Sequence, residues 1–163
     1  GRNISVPVAQ ATGKKLILWN GVCEVHEQFT AARLAATGDS FPNAEVLVHW
    51  EVPSDAASTA LARHKGIIGS TSDIIRYVGE STARQFILGS ECDLGAVLRS
   101  MYTDREFITP CVYCPYMKRI TLHNTLEALR AVGSSAQSTF EIILAPDILQ
   151  RAFLPLQRMI EIG

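Results

Sequence analysis

The sequence predicts an α/β fold, a three-layer αβα sandwich around a parallel sheet. Three observations point to it. Short apolar runs of strand length alternate with amphipathic stretches of helix length, at intervals of about 20 to 25 residues. Turn and capping residues punctuate the alternation. Chemically capable side chains recur just after the strand-like runs, where a parallel sheet gathers them along one edge. The 163 residues are 47% hydrophobic and 19% charged, enough apolar material for one domain or two small ones and no signature of disorder. The net charge is −1, with no block of lysine or arginine, which argues against nucleic acid or an anionic membrane as the main partner. No apolar run approaches the roughly 20 residues of a membrane span, and no signal peptide is visible. Four cysteines without a secretion signal point to reduced thiols and a cytoplasmic location.

Gly1 to Pro7 reads as the middle of a loop, and the chain opens on glycine, so an N-terminal portion is expected to be missing. Lys14-Lys15-Leu16-Ile17-Leu18-Trp19 reads as a buried strand. A helix from about Glu24 to Ala36 follows, with Phe29, Ala32 and Ala36 at helical spacing and Thr37-Gly38-Asp39 as its stop. Ala44 to His49 is a second strand, and Pro53-Ser54-Asp55 starts a helix running to about His64. Lys65 to Gly69 is a short third strand, after which Ser70 to Asp73 caps a helix from Ile74 to about Gly79. Arg84 to Gly89 is a fourth strand, followed by a helix from about Leu94 to Met101 and an extended Glu106 to Thr109. Thr121 to Val132 and Pro146 to Ile162 are amphipathic helices.

Cys23 falls between the first strand and the first helix. A helix N-terminus favours a thiolate there, which could serve as nucleophile, redox thiol or metal ligand; the alternative is a small buried apolar residue. His49-Trp50-Glu51 sets an imidazole and a carboxylate two residues apart, on one side of an extended backbone and suited to proton transfer near neutral pH; a surface pair is the other reading. Gly69-Ser70-Thr71-Ser72 offers hydroxyls and free N–H groups at a helix start, either a seat for a carboxylate or phosphate or an ordinary cap with Asp73. Cys111-Val112-Tyr113-Cys114-Pro115 allows a redox dithiol, a zinc knuckle lacking its second pair, or an iron–sulfur ligand beside a Cys-Pro step. Cys92 reads as structural, His26 as a packing or supporting group beside Cys23, and His64 and His123 as surface or interface residues.

Taken together, Trp19-x-Gly21-x-Cys23-x-Val25-His26-Glu27, His49-x-Glu51, Gly69-Ser70-Thr71, Ser90-Glu91 and Cys114-Pro115-Tyr116-Met117-Lys118 resemble quinolinate synthase, in the family's order and across nearly the whole chain. The resemblance implies three similar αβα domains around a pseudo-threefold axis. A central [4Fe–4S] cluster takes one cysteine from each, leaving one iron open. It implies condensation of iminoaspartate with dihydroxyacetone phosphate to quinolinate, for NAD biosynthesis. Residues 1–22 would then end the second domain, 23–110 would form the third, and 111–163 would return towards a missing first domain. Cys23 and Cys114 would be cluster ligands, with a third cysteine from the missing N-terminal part. His49 and Glu51 would move protons; with Trp50, Ser70 and Thr71 they would contact substrate. Cys111 matches an extra cysteine of some members and is a possible redox residue. The family's usual His-Pro-Glu-Cys is His49-Trp50-Glu51-Val52 here, and its Thr-Glu is Ser90-Glu91. Two further readings stay open: a non-catalytic remnant or binding module of the same fold, and a thiol oxidoreductase using Cys111 and Cys114.

Overall fold

A computed structural model describes residues 2–162, and the side chains of all of these except 2, 6, 7, 11 and 138. The chain divides into two compact units, Gly1–Cys114 and Pro115–Gly163.

In the first unit, α1 (Arg2–Thr12) precedes an irregular stretch and a 3-10 turn, His26–Gln28. There follow α2 (Ala31–Ser40), β1 (Glu45–His49), α3 (Ser54–Arg63), β2 (Gly66–Gly69), α4 (Thr71–Glu80), β3 (Gln85–Gly89), α5 (Cys92–Met101) and β4 (Glu106–Ile108). The four strands form one parallel sheet in the order β2-β1-β3-β4. Alternation along the strands divides the core. Val46, Val48 and Ile87 face α2 and α3, whose Leu34, Ala56, Ala57 and Ala60 are buried with them. Leu47, Phe86 and Leu88 face α4 and α5, against Ile74, Val78, Leu94 and Leu98. Central strands covered on both sides have no polar face, which is why Val46-Leu47-Val48 and Phe86-Ile87-Leu88 are unbroken apolar triplets.

β1 is the switch point: β2 lies on one side of it and β3 on the other. The register aligns His49 with Gly69 and Val48 with Gly89, so the ends of β1, β2 and β3 lie along one edge. In such sheets the cleft opens at that edge, beside the switch point.

The sequence-based elements from β1 onward match in kind and approximate position. Three earlier expectations are corrected. Residues 14–19 form no strand; Ile17, Leu18 and Trp19 are exposed, because no strand of this sheet lies alongside to accept their hydrogen bonds. Gly1 lies outside the described residues, and Arg2 to Pro7, expected as loop, belong to helix α1, which Gly13 ends in the left-handed conformation (φ +65°) while donating its N–H to Ala9 O at 2.8 Å. The first long helix starts at Ala31, not near Glu24: Thr30 caps it by accepting the N–H of Arg33 at 3.2 Å. Cys23 therefore sits in a loop before a single 3-10 turn, and the argument from a helix N-terminus does not apply to it.

The second unit contains α6 (Leu122–Ala131) and α7 (Pro146–Ile162), with 3-10 turns at Met117–Arg119 and Gln137–Thr139. Thr121 and Asn124 close a reciprocal capping box at the start of α6. Every side chain described in α7 is exposed, and Leu122, Leu129, Ile142 and Ile160 are largely bare. No helix among the described residues is long and apolar enough to cross a membrane.

Candidate functional site

The switch-point edge carries the chemistry. β1 ends on His49 and turns at Trp50 and Glu51; the N–H of Val52 closes the turn onto His49 O at 2.9 Å. This turn sets the Glu51 Oε2 3.6 Å from His49 Nδ1. The Glu51 N–H donates to the same Nδ1 at 3.3 Å, so His49 is an acceptor there and carries its proton on Nε2. The 3-10 turn brings His26 onto the pair. Its ring stacks on that of His49, with centroids 4.4 Å apart and planes 14° apart. His26 Nδ1 lies 3.3 Å from Glu51 Oε2, but the approach is not aligned as a hydrogen bond, so this buried nitrogen has no hydrogen-bond partner among the described residues. His26 Nε2 lies 3.5 Å from Ser90 Oγ, just past β3. Helix α1 braces the assembly: the Asn3 amide donates to Glu27 Oε1 at 2.7 Å and to Glu51 O at 2.8 Å.

Burial is the main force on both imidazoles. It pushes His26 down from 6.5 to about 4, helped by the neighbouring His49 and opposed by Glu51. His49 is also lowered by burial, again opposed by Glu51. At neutral pH both rings are therefore neutral. Unfolded, His26 binds its proton near 6.5; folded, near 4. Between these values the unfolded chain holds the extra proton. Stability from this group is thus complete above about pH 7 and falls as pH drops from 6.5 towards 4, by about 3 kcal/mol. Urea unfolding of the metal-free chain across this window, against His26→Gln, should show the component only in the unmodified chain. An NMR midpoint for the His26 ring near 6.5 would refute it.

Two cysteines, Cys23 and Cys114, are free, and both are half-buried against the apolar cluster that contains Val25, Phe29, Val52 and Val112. Cys23 Sγ, a ring nitrogen of His26 and a Glu51 carboxylate oxygen all lie within 4.8 Å of one another. The edge also holds Glu91, buried, whose Oε2 caps α5 by accepting the Asp93 N–H at 2.7 Å while Oε1 has no hydrogen-bond partner among the described residues.

Other anticipated residues lie elsewhere or are otherwise engaged. The Ser70 hydroxyl donates to Asp73 Oδ2 at 2.6 Å and the Ser70 N–H to the same oxygen at 3.0 Å. These bonds hold the Asp73 carboxyl below the usual carboxylate range. The helix start thus already carries an anion of its own, while Thr71 is exposed. Trp50 lines a shallow cleft with Asn3, Asp55 and Ile68, a set that excludes His49 and Glu51. His64 Nδ1 approaches Ala44 O at 3.3 Å, and His123 is exposed beside Glu127.

The expectation of four reduced cysteines is corrected. Cys92 and Cys111 form a disulfide, with Cα atoms 5.2 Å apart. Cys92 therefore has a partner, and Cys111 is bonded to it, not to Cys114. Spacing could not reveal this, since connectivity is not encoded in cysteine positions. The Cys92 N–H also donates to Val112 O at 3.2 Å, so the segment leading to Cys114 is pinned to the start of α5. Only two thiols should react with a thiol reagent before reduction and four after it. Reduction should cost roughly 3 kcal/mol in stability for a loop of this size. Four reactive thiols in the unreduced, unfolded chain would exclude the bridge.

Sequence reasoning undervalued His26, yet Cys23-x-x-His26 is a spacing at which two side chains can share one ion.

A parallel α/β sheet that gathers a thiol, two imidazoles and a carboxylate at its switch point has them at the edge where such folds bind small molecules. Comparison with known proteins specifies it further. Residues 1–161 match the family described as quinolinate synthetase A protein. Quinolinate synthases of Sinorhizobium fredii and Caulobacter vibrioides are 35% and 37% identical over 98% and 95% of this chain, covering 41% and 39% of their own lengths. That of Thermotoga maritima is 35% identical over 99% of this chain and 51% of its own length. The chain belongs to the quinolinate synthase family. It spans between about two fifths and one half of the curated relatives it matches.

Proposed function

We propose that this chain supplies the carboxy-terminal half of a quinolinate synthase, condensing iminoaspartate with dihydroxyacetone phosphate to quinolinate in cytoplasmic de novo NAD biosynthesis. The observation that carries the reading is the convergence of Cys23, His26, His49 and Glu51 at the sheet's switch point in a chain of this family. The free thiols suit an iron–sulfur cluster: both are half-buried, both pack on one apolar cluster, and soft sulfur donors favour iron. Cys23 and Cys114 would hold a [4Fe–4S] cluster with a third cysteine from outside this chain. When bound, the cluster supplies an open iron that acts as a Lewis acid.

The protein's own groups do the rest. Glu51 is the proton acceptor, its Oε2 set between two neutral imidazoles at 3.3 and 3.6 Å. His49, with its proton on Nε2, is the matching donor. His26 stacks on His49 and fixes its ring plane. A substrate carboxylate or phosphate meets the exposed Thr71, and reaches Ser70 only by displacing Asp73.

The domain reading accords with the bare apolar surfaces. Residues 1–22 would complete a second domain, giving Ile17 and Trp19 the partners they lack, and residues 111–163 would cross to a first domain that covers Leu122, Leu129 and the side chains of α7. In a reducing cytoplasm the Cys92–Cys111 bridge would be open for part of the time.

The test is a chimera joining the N-terminal part of the Thermotoga maritima enzyme to this chain, reconstituted with iron and sulfide without oxygen. It should form quinolinate from the two substrates. A well-folded chimera that holds its cluster and makes no quinolinate would favour the non-catalytic reading, for which Trp50 and Val52 in the His-Trp-Glu-Val turn are the best support.

A further inference from the structure

One amide group on helix α1 ties together the two turns that carry His26 and Glu51. Asn3 Nδ2 donates to Glu27 Oε1 at 2.7 Å and to Glu51 O at 2.8 Å. Both partners are acceptors, so the NH2 end of the amide faces them and divides its two N–H groups between the turns. In the first turn, the Glu27 N–H closes onto Cys23 O at 3.0 Å, with His26 inside the loop so formed. In the second, the Glu51 residue is pinned on both sides: its N–H donates to His49 Nδ1 at 3.3 Å and its carbonyl accepts from Asn3. The Glu51 carboxylate is then left only its own side-chain rotations by which to leave the imidazoles. The direct contacts between the turns are a ring stack and an unaligned approach of His26 Nδ1 to Glu51 Oε2, and neither fixes the carboxylate. Glu27 ends the Cys-x-Val-His-Glu stretch and has no other part in the chemistry proposed above. Asparagine brings two donors on one nitrogen and no charge. A lysine or arginine at this place would set a cation near Glu51 and weaken it as a base, and an ionised aspartate has no proton to give.

We propose that Asn3 is a positioning residue for the proton acceptor Glu51, clamping the turn of Glu51 to the turn of His26 with Glu27 as its anchor. The inference rests on the reading of Glu51 as acceptor given above. It adds that α1, a helix that precedes the sheet and contributes no reacting group, sets the distance over which the proton moves.

Two measurements test it. In the full 163-residue chain, amide hydrogen exchange is read at Val52, whose N–H closes the Glu51 turn, and along β1 and β3 for reference. Asn3→Asp and Asn3→Leu should each speed exchange at Val52 by about two- to tenfold, the loss of one net hydrogen bond, and leave the strands unchanged. An aspartate in the first turn favours a helix, so the loss in Asn3→Asp is not a loss of α1. Glu27→Gln keeps an acceptor for Asn3 and should exchange as the unmodified chain does, whereas Glu27→Leu should exchange faster. In the reconstituted chimera, both Asn3 variants should lower kcat by about 10- to 100-fold with KM changed by less than about threefold, as a misplaced proton acceptor does. The proposal is overturned if exchange at Val52 is unchanged in both Asn3 variants, if it rises equally along the strands, or if kcat holds while the turn loosens. A chimera of the unmodified chain that makes no quinolinate would defeat the functional reading, and exchange at Val52 would still decide the clamp.

Discussion

Phe86→Ala should cost about 3 to 5 kcal/mol of unfolding free energy, the largest stability effect of any single core substitution we consider. Phe86 is fully buried in β3, the strand between β1 and β4. Its ring stacks on Phe107 of β4, centroids 5.6 Å apart, and lies under the Arg105 guanidinium at 5.9 Å. On the same face it packs with Leu47, Ile74 and Leu98. A strand clamped on both sides by hydrogen-bonded neighbours cannot collapse into the space left by a lost ring, so the cavity persists and its cost adds to the lost transfer energy. Against a total of about 5 to 15 kcal/mol, that leaves little margin, and the melting temperature should fall by more than about 10 °C. Val97→Ala, on the exposed side of α5, is the control and should change stability by less than about 0.5 kcal/mol. Urea unfolding of the two variants decides it: a loss below about 1 kcal/mol at Phe86 would mean that this face of the sheet is not packed as described.

The sheet was legible because its signals are local. Val46-Leu47-Val48 and Phe86-Ile87-Leu88 are apolar without interruption because both faces are covered, and Ser70 with Asp73 or Thr121 with Asn124 announces a helix start within four residues. The convergence of His49/Glu51, Ser70/Thr71 and Ser90/Glu91 on one edge follows from parallel strand order, and the register aligns the strand ends that carry them; Cys23, expected there at the end of a strand, follows no strand and comes close to Glu51 from a loop. What was not legible depends on partners at a distance. Leu16 to Trp19 has the composition of a buried strand, but composition cannot say whether a neighbouring strand is present, and here none is. The apolar spacing of Phe29, Ala32 and Ala36 runs through Thr30, so periodicity hid the cap that delays α2 and frees His26 to turn onto His49. Cys92 and Cys111 are brought together by α5 and β4 packing side by side, a tertiary fact that no spacing rule contains. In each case the site was assembled by long-range geometry acting on residues whose local signals were weak.

Glu51→Gln in the reconstituted chimera should lower kcat by about 10² to 10⁴, the range a lost proton-transfer group commands, with a much smaller change in KM. The substitution keeps the size of the side chain and removes its charge. It therefore leaves the turn, closed by the Val52 N–H on His49 O, in place. What it takes away is the proton acceptor beside His26 Nδ1 and His49 Nδ1. The companion change, His49→Gln, should give a comparable loss, and the double variant should lose little more than either alone, because a donor and an acceptor that work on one proton path fail as a unit. The pH profile separates chemistry from scaffolding. Burial holds both imidazoles neutral at pH 7, and Glu51 opposes that shift in each. Removing the carboxylate should therefore push both rings to still lower values and move the acid limb of the rate profile to lower pH, an effect that a merely structural residue would not produce. A variant with kcat within a few-fold of the parent, or a loss confined to KM with an unmoved acid limb, would take Glu51 out of the proton path and leave it as a ligand or a brace.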